Sequence, residues 1–196
     1  MSSTVIDEIM QTFSTARNLY IAYYFFDFND PAKQTVEGLL RCLIFQLAVS
    51  AEAVPEELEK LYAQHHKDRG SPTQPTIKEW TSLLLALLRF RQCFHIVIDA
   101  LDECLEEELL HDTIKSLVNR SENTTRWLFT RQASEEVALD LSVAGIESIR
   151  IETSAVDHDM AKYLHATLEN ELKLRSFAPK AKRIIRSEIQ TKARGM

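Results

Sequence analysis

A chain of 196 residues, 45% hydrophobic and 27% charged, holds enough apolar material for one core plus a small appendage and is too apolar for disorder. Its formal net charge of −6 argues against general nucleic-acid binding, and no apolar run approaches the length of a membrane span. Cys42, Cys93 and Cys104 are odd in number with no C-x-x-C pair, and MSSTVIDEIM at the amino terminus lacks a signal-peptide pattern, so a reducing, cytoplasmic location is expected.

Residues 3–16 read as a helix, with Ile6, Ile9, Met10 and Phe13 on one face. LYIAYYFF (19–26) reads as a buried strand, and DFNDP (27–31) as the turn that stops it. The clearest helix is 35–49, where Val36, Leu39, Leu40, Leu43, Ile44 and Leu47 recur at helical spacing. Pro55 opens a helix to about His66. After the polar stretch DRGSPTQP (68–75), Thr76 and Glu79 form a capping-box pattern ahead of helix 77–90. A strand at 94–99 and a helix at 106–118 follow, the helix opening on Glu106, Glu107 and Glu108, which suit the positive end of its dipole. RWLFT (126–130) predicts a strand, 133–141 a helix and IESIRI (146–151) a further strand. Ser154 and Asp157 resemble a second capping box for a helix at 156–175, and Pro179 starts a last basic helix ending near Gly195. Strands alternating with helices predict an α/β sheet with crossover helices on both faces. Two helices with no strand between them predict a helical subdomain at 153–196, after a core at 1–152.

The most informative segment is HIVIDALDEC (95–104). Ile96, Val97 and Ile98 form the β-branched run of a strand buried on both faces of a parallel sheet. Asp99 falls at its tip, and Asp102 and Glu103 follow a two-residue turn. Carboxylates gathered there repel one another, which a hard, oxygen-seeking cation such as Mg²⁺ would relieve, usually together with a nucleotide phosphate. The pattern resembles an extended Walker B motif, D-x-x-D-E. Its usual companion, G-x-x-x-x-G-K-S/T, is not in the chain. The glycines stand at 38, 70, 145 and 195, too far apart for a phosphate-cradling loop.

YYFFDFNDPAKQTVEGLLRCLIFQL, HIVIDALDEC and WLFTRQ, taken together, resemble the NACHT-type NTPase domains of fungal signal-transduction proteins. These are the nephrocystin 3-like amino-terminal domains of the STAND class of P-loop NTPases. The resemblance implies a three-layer P-loop NTPase-type parallel sheet, strand order 5-1-4-3-2, followed by the start of a helical lid. The strands at 19–26, 94–99, 126–130 and 146–151 would be strands 2 to 5. Strand 1 and the phosphate loop would precede Ser2–Ser3–Thr4, and KARGM would fall inside the lid, so both ends are expected to be cut. The fold would then be incomplete, with an open ladder edge on the 126–130 strand.

The same resemblance implies roles. Asp99 would hold Mg²⁺, Asp102 with Glu103 would orient or deprotonate the attacking water, and Arg131 would sense the γ-phosphate. Family members commonly carry Thr-Ser-Arg-Pro where this chain has Thr130-Arg131-Gln132. Mg²⁺ with ATP or GTP is the parent family's cofactor set; none is expected for this chain alone. Three functions compete: a partial nucleotide-binding signalling domain inactive by itself, an interaction module that self-associates or joins intact NACHT relatives, and residual Mg²⁺-dependent nucleotide binding. Neither a specific nucleic acid nor a membrane span is expected. His65, His66, His95, His111, His158 and His165 lack a ligand constellation. Cys104 is not expected to act as a nucleophile, because the neighbouring carboxylates raise its pKa. The run Lys180, Lys182, Arg183, Arg186, Lys192 and Arg194 reads as a solvated helix face.

Overall fold

The computed structural model describes residues 2–12, 19–49, 55–66, 73–89, 93–121, 125–132, 146–147, 149 and 153–193. The chain divides into two compact units, residues 1–146 and 147–196. Among the described residues, unit 1 is built on three parallel strands, β1 (Leu19–Phe25), β2 (Cys93–Asp99) and β3 (Thr125–Phe129), in spatial order β1-β2-β3. Ala22 lies beside Ile96, and Ile96 beside Trp127. The helices described in this unit are α1 (Ser2–Thr12), α2 (Val36–Val49), α3 (Glu56–His65), α4 (Ile77–Arg89) and α5 (Glu107–Arg120).

Ile96, Val97 and Ile98 are at most 1% exposed, so the apolar run of β2 is covered on both faces, as its composition requires. Side chains alternate along a strand. Phe94, Ile96 and Ile98 share a cluster with Leu39, Leu40 and Leu43 of α2, Leu84 and Leu88 of α4, and Leu110, Ile114 and Leu117 of α5. Helices that join successive strands added in one direction fall on one face when each crossover is right-handed, and here they share that one core. Val97 points the other way; α1 lies against β2 and buries Ile6 outside the main cluster.

Two residues govern how α2 meets β1. Gly38, in the first turn of α2, sits where an added Cβ would lie 2.6 Å from the Ala32 carbonyl oxygen and 3.0 Å from the Tyr24 hydroxyl. Glycine is the residue that permits so close an approach of two backbones. Burial lifts the Tyr24 phenol to about 12. Further along α2, Gln46 accepts from the Tyr23 amide at 3.1 Å and donates to its carbonyl at 2.7 Å. The carboxamide thus stands in for a neighbouring peptide on the edge of β1 that pairs with no strand among the described residues, an edge of the kind that invites strand addition. Gln46→Leu is expected to cost about 1 kcal/mol and to raise self-association, which light scattering at matched concentration would register. Unchanged scattering would mean the edge needs no such cover.

Local signals fold as their chemistry dictates. Asp27 Oδ1 accepts from the Asn29 amide at 2.9 Å, and Asp30 caps a short 3₁₀ turn, Pro31–Lys33, by accepting from the Ala32 amide at 3.1 Å. The Thr76–Glu79 box forms reciprocally: Thr76 N–H donates to Glu79 Oε2 at 2.7 Å and Glu79 N–H to Thr76 Oγ1 at 3.3 Å. The Thr76 amide, joined by the Thr76 hydroxyl donating to the same Oε2 at 2.8 Å, holds the Glu79 carboxyl below its ordinary range. The expected helix at 133–141 lies outside the described residues, as does half of the expected strand at 146–151. Ile146, Glu147 and Ile149 are described and are not in a strand.

Unit 2 carries α6 (Thr153–Asn170) and α7 (Pro179–Ala193), packed as an antiparallel pair. α6 begins at Thr153, so Ser154 falls within the helical span and not ahead of it. The basic run of α7 is not uniformly solvated. Lys182 is 8% exposed and donates to Glu169 Oε2 at 2.9 Å, while Arg186 Nη2 lies 2.8 Å from His165 Nδ1. Two of the cations expected to face water instead face α6, where the Lys182 ammonium lowers the Glu169 carboxyl. Among the described residues no helix is long and apolar enough to cross a membrane.

Candidate functional site

The carboxyl ends of β1, β2 and β3 meet at one edge of the parallel sheet, where open α/β folds place their ligand crevices. Asp99 ends β2. Ala100 then takes φ 57°, ψ 53°, the one positive φ at a non-glycine position among the described residues. That left-handed conformation costs an L-residue about 1–2 kcal/mol, and the neighbouring strand ends hold it in place. Ala100 N–H donates to Thr130 Oγ1 at 3.1 Å, Leu101 N–H to the Thr130 carbonyl at 3.0 Å, and Phe26 N–H to the Asp99 carbonyl at 3.1 Å. The chain reverses through a 3₁₀ turn, Leu101–Glu103, with Leu101 buried beneath it.

The structure directs the three carboxylates of the D-x-x-D-E motif to different donors. Asp99 Oδ1 accepts a hydrogen bond from the Thr130 hydroxyl. Asp102 Oδ1 accepts the Gln132 amide at 2.9 Å, on the loop leaving β3. Glu103 Oε2 accepts the Phe28 amide at 2.8 Å, on the loop leaving β1. Hence part of the mutual repulsion expected of these groups is offset by hydrogen-bond donors from both flanking loops. Arg131 is exposed, between Thr130 and Gln132, and so joins the turn after β2 through its two chain neighbours. Among the described residues no three His, Cys, Asp or Glu side chains converge as a metal-holding group.

Glu106 does something its sequence position does not suggest. It precedes α5 without capping it. Its carboxylate instead accepts the first amide of α2, Val36 N–H, at 2.7 Å, while Thr35 Oγ1 accepts from Gly38 N–H at 3.1 Å. The acidic group at the head of one helix therefore satisfies the orphan amide of another. Gln34 completes the link. Its carbonyl accepts Leu105 N–H at 3.0 Å and the Cys104 thiol at 3.4 Å, and its side chain donates to the Asp27 carbonyl at 3.0 Å. Burial pushes the Cys104 thiol up, as expected of an inert core cysteine and not of a nucleophile.

Thr130, Gln34 and Glu106 are the residues that sequence reasoning missed. Only Thr130 had a usable signal, a hydroxyl at the end of a strand beside a carboxylate-tipped one. The partners of the Gln34 carbonyl and of Glu106 lie about 70 residues away in the chain, and no local pattern reports them.

No curated protein and no solved structure matches the chain. A family model described as "Nephrocystin 3, N-terminal" matches residues 1–132. That span takes in β1, α2, the whole D-x-x-D-E turn and the Thr130–Gln132 loop. The chain belongs to the nephrocystin 3 N-terminal domain family.

Proposed function

We propose that the chain supplies the metal- and γ-phosphate-facing half of a NACHT-type nucleotide switch of the STAND class, in a P-loop NTPase fold of fungal signalling type. These 196 residues do not hydrolyse nucleotide by themselves. The observation that carries the reading is the placement of Asp99 at the tip of the central parallel strand, hydrogen-bonded to Thr130 of the next strand end beside Arg131. In this reading Asp99 faces Mg²⁺, Asp102 and Glu103 face the attacking water, and Arg131 faces the γ-phosphate. The donors are all oxygens, which fits a hard cation. With no closed cage among the described residues, most of its ligands would be water and phosphate oxygens, the usual Mg²⁺ arrangement.

What the 196 residues lack is a Gly-rich loop with its lysine, which supplies much of the phosphate binding and charge stabilisation in such enzymes. A fluorescent ATP or GTP analogue titrated with Mg²⁺ is therefore expected to show no saturable binding to this chain. Fusing a strand and G-x-x-x-x-G-K-S/T loop ahead of Ser2 is expected to create Mg²⁺-dependent binding that Asp99→Ala abolishes. A fusion that stays blind to nucleotide, while folded by circular dichroism, would sink the reading.

A further inference from the structure

We propose that unit 1 pairs with a second copy of itself through the outer edge of β1, in an antiparallel, two-fold join centred on Tyr23, with the Gln46 carboxamide as a displaceable plug. The peptide groups of successive strand residues point alternately to the two sides of the strand. Phe26 N–H reaches the Asp99 carbonyl, on the β2 side, whereas Gln46 of α2 meets both peptide groups of Tyr23. Alternation therefore turns Ile21 and Phe25 outward with Tyr23, along an edge that pairs with no strand among the described residues. One carboxamide serves only the middle residue of these three.

What the strand lacks identifies its occupant. Edge strands are ordinarily protected by charge, by proline or by a bulge. LYIAYYF has no charged residue and no proline, and it pairs with β2 residue for residue, without a bulge. A two-fold contact is self-complementary, so a charge on the axis would meet the same charge on the other copy; an uncharged strand satisfies that condition. With Tyr23 opposite Tyr23 of the second copy, Ile21 falls opposite the second copy's Phe25. The outward peptide groups then exchange N–H···O bonds as the hydrogen-bonded pairs of an antiparallel ladder. Ile21, Tyr23 and Phe25 share one face of β1, and the Tyr23 and Phe25 rings lie 5.6 Å apart. The join sets this β-branched and aromatic stripe against its own reverse, a favourable cross-strand pairing. Apolar surface is available there: Tyr23 is 37% exposed, and Val49, one turn beyond Gln46 on the same side of α2, is 67% exposed.

Analytical ultracentrifugation of the full chain over a concentration series tests the join. The wild type is expected to dimerise weakly, and Gln46→Leu to tighten the dimer about tenfold, equivalent to about 1.4 kcal/mol, because no plug has to be released. In the Gln46→Leu background, Tyr23→Lys and Tyr23→Glu are each expected to be monomeric, since like charges then oppose one another at the axis. Mixed in equal amounts, the two are expected to dimerise again, a result that requires residue 23 to meet its own copy. Circular dichroism melts report whether each variant remains folded. Should a charge at position 23 unfold the domain, Tyr23→Pro removes one outward N–H, spares the β2 ladder and is expected to give the same loss of dimer. A wild type and a Gln46→Leu variant that both stay monomeric would overturn the proposal and leave the edge to an extended segment of another protein. Dimers that survive either charged variant, or a charge-swapped mixture that stays monomeric, would overturn it too. No nucleotide enters these measurements, so the nucleotide reading keeps its own binding test.

Discussion

Gly38→Ala is expected to destabilise the first unit by about 2 kcal/mol, within the range of about 1–3 kcal/mol for forcing extra atoms into a packed site. The clash is with a backbone carbonyl, Ala32 O at 2.6 Å from the added Cβ, and that carbonyl has little room to retreat. Ala32 sits in the 3₁₀ turn that Asp30 caps, and Gln34 N–H closes the turn on Pro31 O at 3.3 Å. Relieving the contact means moving α2 off β1 or unwinding the turn. Helix propensity acts in the opposite direction, since alanine in place of glycine ordinarily stabilises a helix by about 0.5–1 kcal/mol. Chemical denaturation of the two proteins separates these effects by sign. A variant as stable as the parent, or more so, would show that α2 and the Pro31–Lys33 turn do not approach so closely.

Glu106→Ala is expected to cost about 1.5–3 kcal/mol, the range for a hydrogen bond to a charged group, and the loss should fall on α2 and not on α5. The reason is geometric. Glu106 stands next to α5 in sequence but makes no side-chain cap there, while its carboxylate accepts Val36 N–H at 2.7 Å. Hydrogen exchange at the amino-terminal turn of α2 should accelerate, whereas the amides of α5 from Leu110 onward keep their protection. Glu106→Gln retains an acceptor and should lose much less. If the exchange increase appeared in α5 instead, Glu106 would be the helix-dipole residue that its sequence position suggests.

Most elements of the first unit were legible because their signals are local. The 3.6-residue recurrence of Val36, Leu39, Leu40, Leu43 and Leu47 specifies α2 whatever it packs against, and the observed helix begins one residue from the expected start. The Ile96–Ile98 run is too apolar for anything but a strand covered on both faces. Thr76 and Glu79 meet across one helical turn, so their reciprocal bonds are written into three residues of spacing. Failures occurred where a local pattern had two physical uses. Ser154 followed by Asp157 looks like a cap, yet such residues also occur inside a helix, where α6 places them. A run of lysines and arginines looks like a wet face, yet the spacing of Lys182 and Arg186 also points both toward a partner helix, and α6 offers Glu169 and His165 there.

The candidate site divides along the same line. The sequence by itself determined that a buried parallel strand ends in Asp99, that two more carboxylates follow within one turn, and that no Gly-rich phosphate loop lies in these 196 residues. These are properties of residue order, and the strand period fixes them. Only the tertiary structure decided what the carboxylates touch: Thr130 for Asp99, the Gln132 amide for Asp102, the Phe28 amide for Glu103 and the Val36 amide for Glu106. A carboxylate will accept from whichever donor the fold brings within about 3 Å. Those donors are backbone and hydroxyl groups that every sequence possesses in abundance, so their selection rests on strand order and register and on no motif.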